Sequence, residues 1–167
     1  MNIEPNPDWH QLFVEQRPAD INLCCGAGNA KETLTYYEMK QAGYSTFDPE
    51  QVEQAKKFGA AVKRTCKIPI RPLHELFSEH LKQPIDFLSI DIEGFEYEAL
   101  NSNDWERWRP RFICIESASD TDVRNEPTLR ERDTYFKKLE YKRVGKTNLF
   151  GRVLNAIYED TRTISAA

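Results

Sequence analysis

The stretch from Ile85 to Gly94 constrains the fold of this chain more than any other feature. It reads Ile-Asp-Phe-Leu-Ser-Ile-Asp-Ile-Glu-Gly, a nearly continuous apolar run that ends at Asp91, Glu93 and a glycine. A strand with so few polar residues is typical of a parallel sheet that helices cover on both faces. Open sheets of this kind bind their ligands beyond the carboxyl ends of the strands. We therefore predict a functional site at this strand end.

Length and composition indicate an ordinary soluble domain. The 167 residues suit one domain, residues 1–167, that is large enough to bury a core. With 27 acidic and 23 basic side chains, the net charge of -4 argues against nucleic acid as the main partner. No apolar run approaches the roughly 20 residues that span a bilayer, so we expect no membrane partner. The spacing of the four cysteines, Cys24, Cys25, Cys66 and Cys114, does not fit a zinc site. We therefore predict reduced thiols in a cytoplasmic protein.

One segment looks like a cationic and aromatic patch for nucleic acid. It reads Asn103-Asp-Trp-Glu-Arg-Trp-Arg-Pro-Arg111. We interpret it differently, since a proline and an acidic cap suit a short turn. On this interpretation Trp105 and Trp108 pack on the edge of a sheet, and the arginines are solvated.

Strand and helix patterns alternate along the chain. Besides the central strand, β-rich or apolar runs predict strands at Ile21–Cys25, Thr33–Met39, Arg64–Ile70 and Phe112–Glu116. Helical spacing and cap signals predict helices over 7–15, 49–59, 72–81, 95–100 and 127–139. Two last runs, Tyr141–Val144 and Val153–Tyr158, predict a closing antiparallel pair. The alternation predicts an α/β three-layer sandwich with a mainly parallel sheet and an antiparallel C-terminal hairpin.

Several segments together carry a resemblance to a known family. They are Asn2-Ile-Glu-Pro-Asn-Pro7, Arg17-Pro-Ala-Asp-Ile-Asn-Leu23, Ile85–Leu100, Arg109–Glu116 and Leu154–Tyr158. In these residues the chain resembles the FkbM-type family of methyltransferases that depend on S-adenosylmethionine (SAM). The resemblance covers nearly the whole chain. It implies a Rossmann-like methyltransferase fold, with SAM as the cofactor at the carboxyl ends of the first strands.

The resemblance also implies which residues bind the cofactor. In such folds the second strand ends on an acidic residue that accepts hydrogen bonds from the ribose hydroxyls, and Glu4 matches this position. A carboxylate suits the task because it offers two acceptor oxygens to two neighbouring hydroxyls. The third strand of the family pattern falls on 21–23, which implies that Asn22 lies near the adenine. Asp91 matches a position that touches the substrate or the methyl donor. The alternative for Glu4 is that it only caps the following helix.

The chain departs from the family pattern at its beginning. A complete member has a strand, a glycine-rich turn and a helix before the acidic strand, and glycine lets the backbone approach the cofactor closely. Here the match begins at the second strand, so we expect an N-terminally truncated domain that binds SAM poorly by itself. A fragment, a truncated gene and completion by another chain stay open as explanations. We also expect that the exposed sheet favours self-association.

A glycine-containing segment in the first third of the chain imitates the missing turn. It reads Leu23-Cys-Cys-Gly-Ala-Gly-Asn29. A true cofactor loop would need an acidic residue at the end of a strand about 20 residues later. Asp48 is a candidate, but Pro49 follows it, and 31–39 predicts a strand where that unit needs a helix. We therefore interpret the segment as a look-alike.

The carboxylates at the central strand end are the predicted catalytic groups. Methyl transfer to a hydroxyl of a sugar or small-molecule acceptor needs alignment and usually the removal of a proton. Asp91 is the predicted base, on the condition that burial raises its pKa. Alternatively, Glu93 and Glu116 join it in holding a divalent cation that acidifies the acceptor. The simpler alternatives are that Glu93 caps the helix near Phe95 and that Glu116 faces solvent.

Two other classes of function remain open. Asp91-Ile-Glu93 also resembles the Asp-x-Asp arrangement that holds manganese and a nucleotide-sugar in glycosyltransferases, since paired carboxylates suit a hard cation on a diphosphate. The second class is a non-catalytic remnant of a methyltransferase that folds or docks but transfers nothing. A titration with SAM, compared with one of UDP-sugar plus manganese, distinguishes these hypotheses.

Overall fold

The computed structural model describes residues 1–41, 43–92, 94–116, 128–149 and 152–162, and these residues form nine strands and five helices. In chain order they are β1 (Asn2–Ile3), α1 (Pro7–Gln16), β2 (Asn22–Leu23), β3 (Gly26–Ala27), β4 (Glu32–Met39), α2 (Pro49–Lys57), β5 (Val62–Arg71), α3 (Leu73–His80), β6 (Phe87–Ile90), α4 (Glu96–Asn101), β7 (Phe112–Glu116), α5 (Leu129–Lys138), β8 (Tyr141–Leu149) and β9 (Arg152–Asp160). None of these helices is long and apolar enough to cross a membrane.

The chain divides into two compact units. The first contains Met1–Lys82 with Ile92–Asn103, and the second contains Gln83–Asp91 with Asp104–Ala167. The sequence-based division, one domain over 1–167, stays a prediction.

Two small sheets form the strand layer of the first unit. In one, β1 and β2 are parallel and pair Asn2 with Asn22. In the other, β5 lies between β3, which is parallel to it, and β4, which is antiparallel to it. Burial alternates along β5, because Ile68 and Ile70 are buried whereas Lys67 is exposed. This period of two is that of a strand with one face in the core.

Two helices of the first unit begin in the same way. Asn6 caps α1 and Asp48 caps α2, and a proline follows each cap. The cap side chains accept hydrogen bonds from the backbone N–H groups of Asp8 (2.9 Å) and Glu50 (2.7 Å). Such caps satisfy an N–H that has no partner within the helix, and proline suits the first helical position because it has no N–H to satisfy. The helices predicted at these positions are confirmed.

The look-alike segment has a packing explanation. A Cβ atom on Gly26 would lie 2.6 Å from Cδ1 of Ile70, and one on Gly28 would lie 2.7 Å from its Cγ2. A larger residue at either position would therefore require the Ile70 side chain of β5 to shift. The strand predicted at 33–39 is confirmed as β4, where a true cofactor loop would need a helix.

One four-stranded sheet forms the second unit, in the order β6-β7-β9-β8. β6 and β7 are parallel, whereas β9 is antiparallel to both of its neighbours. The predicted C-terminal hairpin is confirmed, and its strands are longer than the patterns at 141–144 and 153–158 indicated. The longer ladder contains register shifts, which interrupt the alternation that a sequence pattern detects.

The two faces of this sheet differ in burial. On one face Ile113 and Ile115 are fully buried, and Phe136 of α5 stacks on Tyr158 with ring centroids 4.2 Å apart. On the other face Phe87 is 57% exposed. The prediction that the central strand is buried on both faces is therefore wrong. The physical reason is that α5, the one helix formed by the described residues of this unit, packs on the face of Ile113 and Ile115 and not on that of Phe87.

The described residues thus form a mixed α/β fold with several sheets, which confirms the predicted class. Three strand pairs are parallel and three are antiparallel. The two longest ladders, β4–β5 and β8–β9, are antiparallel. A Rossmann-like arrangement with a mainly parallel sheet stays a prediction.

Candidate functional site

Glu4 lies immediately after β1 in the first unit, with one carboxylate oxygen in use. Its backbone N–H donates to the carbonyl of Leu23 at 3.0 Å, which extends the pairing of β1 with β2 by one residue. Its side-chain Oε1 accepts a hydrogen bond from the backbone N–H of Asn6 at 2.8 Å. Among the described residues no hydrogen bond reaches Oε2. One oxygen of the carboxylate is therefore fixed, and the other is available to a ligand.

Glu4 is half-buried and lies close to a thiol. Burial raises the pKa of Glu4, and the hydrogen bond from Asn6 and the nearby His10 only partly oppose this rise. The pKa of the Cys24 thiol is also raised, first by burial and then by the negative charge of Glu4 and by Cys66. The carboxylate thus lies close to this thiol. A half-buried acid with a raised pKa is a candidate for function.

Asn22, the second predicted cofactor residue, has its side chain fully engaged. Its Nδ2 donates to the backbone carbonyls of Arg17 at 3.0 Å and Asp20 at 3.3 Å, at the end of α1. Its Oδ1 accepts a hydrogen bond from Nδ2 of Asn2 at 2.8 Å. Asn22 therefore ties the turn after α1 to the β1–β2 pair. A part in binding the cofactor stays a prediction for this residue.

Asp91 and Glu116 occupy equivalent positions in the second unit. The residues before them, Ile90 and Ile115, are partners in the parallel register of β6 and β7. Because neighbouring strands lie about 4.8 Å apart, the two carboxylates leave the sheet side by side. Asp91 is exposed, so the burial on which its predicted role as a base depended is not observed, whereas Glu116 is half-buried. Burial raises the pKa of Cys114, and the negative charge of Asp91 adds to the rise, so these side chains are close.

The row of polar residues continues across the sheet. Glu116 is the register partner of Asn155 on β9. Asn155 in turn donates to Oγ1 of Thr147 on β8, from its backbone N–H at 3.2 Å and from its Nδ2 at 3.3 Å. Sequence reasoning missed Asn155 and Thr147 as part of this edge. The available signal was an amide side chain inside the otherwise apolar Leu154–Tyr158 strand.

Glu93, the third predicted catalytic residue, lies outside the described residues. The loop before α4 is instead held by Glu96, which sequence reasoning did not single out. Its Oε1 accepts hydrogen bonds from the backbone N–H groups of Ile92 at 3.3 Å and Gly94 at 3.2 Å. Glu96 is 2% exposed, so this buried carboxylate fixes the segment that follows the central strand.

Within the described part of the chain, no group of three or more His, Cys, Asp or Glu side chains is arranged to hold a metal ion. Glu93 lies outside these residues. The alternative of a divalent cation on Asp91, Glu93 and Glu116 therefore stays a hypothesis.

Comparison with known families gives one match. A family model described as the methyltransferase FkbM domain matches residues 1–143. The matched range includes Glu4, Asn22, Asp91 and Glu116. No curated protein and no solved structure matches the chain.

Proposed function

Because the chain belongs to the FkbM methyltransferase family, we propose that it is an enzyme that transfers a methyl group from SAM to a hydroxyl of a sugar or small-molecule acceptor. The observation that carries the proposal is the half-used carboxylate of Glu4. The N–H of Asn6 fixes its Oε1, while no hydrogen bond among the described residues reaches its Oε2. A carboxylate in this state is suited to accept hydrogen bonds from ribose hydroxyls.

The residues around Glu4 fit the chemistry of a nucleoside. The two neighbouring hydroxyls of ribose are donors, and a half-buried carboxylate accepts from them more strongly than a solvated one does. A hydrogen bond to a charged group contributes about 1.5–3 kcal/mol to binding. Glu4 therefore supplies orientation and affinity for the adenosine portion of the cofactor.

In the second unit, Asp91 is the proposed base. When bound, SAM supplies an electrophilic methyl carbon on a positively charged sulfur. The acceptor oxygen would take this methyl group as the carbon–sulfur bond breaks and S-adenosylhomocysteine leaves, and Asp91 would accept the proton of the acceptor hydroxyl. Glu116 and Asn155 lie in the same row and offer acceptors and donors that hold the other hydroxyls of the acceptor. A positioned base of this kind contributes about 10²–10⁴-fold to the rate.

Family membership favours methyl transfer over the glycosyl transfer that Asp91 and Glu93 also suggested. The direct test compares two titrations of the chain, one with SAM and one with UDP-glucose plus manganese. Binding is monitored by ligand-observed NMR, which detects weak binding. Saturable binding of SAM without binding of the nucleotide-sugar supports the proposal. Binding of UDP-glucose that requires manganese contradicts it. Binding of neither ligand at millimolar concentration favours the non-catalytic remnant.

A further inference from the structure

Asn6 is a buried polar residue whose backbone touches the proposed cofactor ligand. It is 2% exposed, and a polar side chain so enclosed is normally hydrogen-bonded. Its backbone N–H donates to Oε1 of Glu4 at 2.8 Å. Its backbone carbonyl accepts a hydrogen bond from the N–H of His10 at 2.9 Å, within the first turn of α1. The donor that holds Glu4 is therefore part of the start of a helix.

The side-chain oxygen of Asn6 fixes the same backbone from the helix side. Its Oδ1 accepts a hydrogen bond from the N–H of Asp8 at 2.9 Å, which makes Asn6 the N-cap of α1. The cap residue adopts an extended backbone, with φ of -75° and ψ of 117°. This conformation differs from that of the helix and sets the direction of the N–H that meets Glu4.

The side-chain amide of Asn6 fixes it from the strand side. Burial alone would raise the pKa of Glu38 on β4, but hydrogen bonds from Lys63, Arg64 and Asn6 outweigh burial and hold that pKa below its ordinary value. Burial is the main cause of a raised pKa of Tyr36, and Asn6 beside its hydroxyl partly opposes the rise. Proximity to Glu38 and Tyr36 of β4 is therefore the second anchor of Asn6, beside the hydrogen bond of its oxygen to α1.

From these contacts we propose that Asn6 is a positioning residue for ribose recognition: its two side-chain anchors orient the N–H that holds Glu4 in its binding geometry. This inference rests on the proposed function of Glu4. The ligand class is a nucleoside with an intact pair of ribose hydroxyls. Without the anchors, the carboxylate is present but its orientation varies, so the preference for those hydroxyls is lost.

The test measures the ratio of the affinities for two nucleosides. Loss of a helix cap by itself is not expected to change this ratio. The probes are adenosine and 2′,3′-dideoxyadenosine, which differ only in the ribose hydroxyls, and affinities come from NMR titration of the full chain. The wild-type chain is expected to prefer adenosine by about 10-fold or more, which matches one charge-assisted hydrogen bond. Asn6→Ala is expected to reduce this ratio at least threefold. A wild-type ratio in that variant overturns the proposal.

Two further variants make the outcome specific. Asp48→Ala removes the equivalent cap of α2, so it is expected to lower the melting temperature as Asn6→Ala does, with the ratio unchanged. A ratio that falls equally in Asp48→Ala overturns the proposal, because it traces the effect to general loosening. If Asn6→Ala does not fold, Asn6→Ser replaces it, because serine keeps a capping oxygen but loses the amide that contacts β4. The proposal then requires that Asn6→Ser lowers the affinity ratio at least threefold.

Glu4→Gln separates the positioning role from the proposed function. If Glu4→Gln removes the preference for adenosine but Asn6→Ala and Asn6→Ser do not, Glu4 binds ribose and only the role of Asn6 is wrong. If the wild-type chain binds both nucleosides equally, Glu4 is not a ribose ligand. That result overturns both proposals.

Discussion

Ile90 and Ile115 are partners in the parallel register of β6 and β7, and this pairing places Asp91 and Glu116 side by side at the carboxyl end of the sheet. The two carboxylates are 25 positions apart in the sequence, but Asp91 directly follows Ile90 and Glu116 directly follows Ile115. Carboxyl ends of parallel strands are where such sheets bind ligands. This relationship supports the proposed catalytic role of Asp91.

Replacement of Asp91 by asparagine is expected to lower kcat by about 10²–10⁴-fold, because asparagine cannot accept the proton of the acceptor. The affinity for SAM is expected to change little. Formation of S-adenosylhomocysteine, measured with a hydroxyl acceptor identified from a panel of sugars, reports the rate. Asp86→Asn is the matched control, because Asp86 is an exposed aspartate just before β6. A wild-type rate in Asp91→Asn would show that Asp91 is not the base.

The affinity for SAM is expected to depend on pH through Glu4. Burial raises the pKa of this carboxyl above its ordinary value of 4.5, and only the ionised form is the strong acceptor for ribose hydroxyls. Affinity is therefore fully present above the raised pKa and is lost as the pH falls through it. The loss begins at a higher pH than for an ordinary glutamate. Binding measured from pH 7.5 to pH 4.5 should show this fall in the wild-type chain, and a flat profile in Glu4→Gln. Equal profiles in both proteins would contradict the assignment.

A side chain at Gly26 is expected to force its neighbours to shift. Its Cβ would lie 2.6 Å from Cδ1 of Ile70 and 3.1 Å from Cζ of Phe47, so Gly26→Ala should destabilise the fold by about 1–3 kcal/mol in urea unfolding. Ile70→Val removes the obstructing Cδ1, and the double variant should recover part of the loss. At Gly145 the nearest atom to an added Cβ is 3.5 Å away, so Gly145→Ala is the matched control. Equal stability of Gly26→Ala and Gly145→Ala would show that this glycine is not required for packing.

A buried ion pair is expected to stabilise the second unit. Asp160 is 1% exposed and accepts hydrogen bonds from Nε of Arg109 at 3.0 Å and from its second terminal nitrogen at 2.6 Å. Removal of one partner leaves a buried charge, so Asp160→Asn should cost about 3–5 kcal/mol. Thermal unfolding measures this, with Glu159→Gln on the same strand as the control. A melting temperature equal to that of the control would contradict the role of the pair.

The same pair gives stability a defined pH dependence. Burial alone would raise the pKa of Asp160, but hydrogen bonds from Arg109 and Arg162 outweigh burial and hold it below the ordinary value of 3.8. A lowered pKa in the folded state contributes stability that is fully present above pH 3.8 and is lost as the pH falls through the lowered value. Melting temperatures measured below pH 4 should therefore converge for the wild-type chain and Asp160→Asn.

Local patterns predicted much of the fold, because caps, prolines and periodicity act within a few residues. The start of α1 after Asn6, the strand β4 and the C-terminal hairpin are examples. Contacts between distant residues could not be read in this way. Arg109 was expected to be solvated, yet its partner Asp160 lies 51 positions away. Likewise, an apolar run does not reveal whether a helix covers its second face, which is why the exposure of Phe87 was missed.

The sequence predicted the residues of the candidate site only where a single residue matches a position of the FkbM family pattern. Glu4, Asp91 and Glu116 lie at strand ends, as expected from the resemblance. The contacts that give them chemical meaning depend on folding. The N–H of Asn6 on Glu4 requires a helix to begin two residues later, and the row from Asp91 to Asn155 requires three strands in register. Periodicity alone carries no information on such registers.

The central claim is that Glu4 binds the ribose of an adenosine-containing cofactor. NMR titration of S-adenosylhomocysteine with the wild-type chain, Glu4→Gln and Glu32→Gln tests it most directly, because this method measures weak affinities. Glu32→Gln is the control, because Glu32 is an exposed glutamate of the same unit. The account predicts that Glu4→Gln weakens binding at least about 10-fold, as loss of a charge-assisted hydrogen bond requires, while Glu32→Gln binds as the wild type does. Equal affinities of Glu4→Gln and the wild-type chain would contradict it.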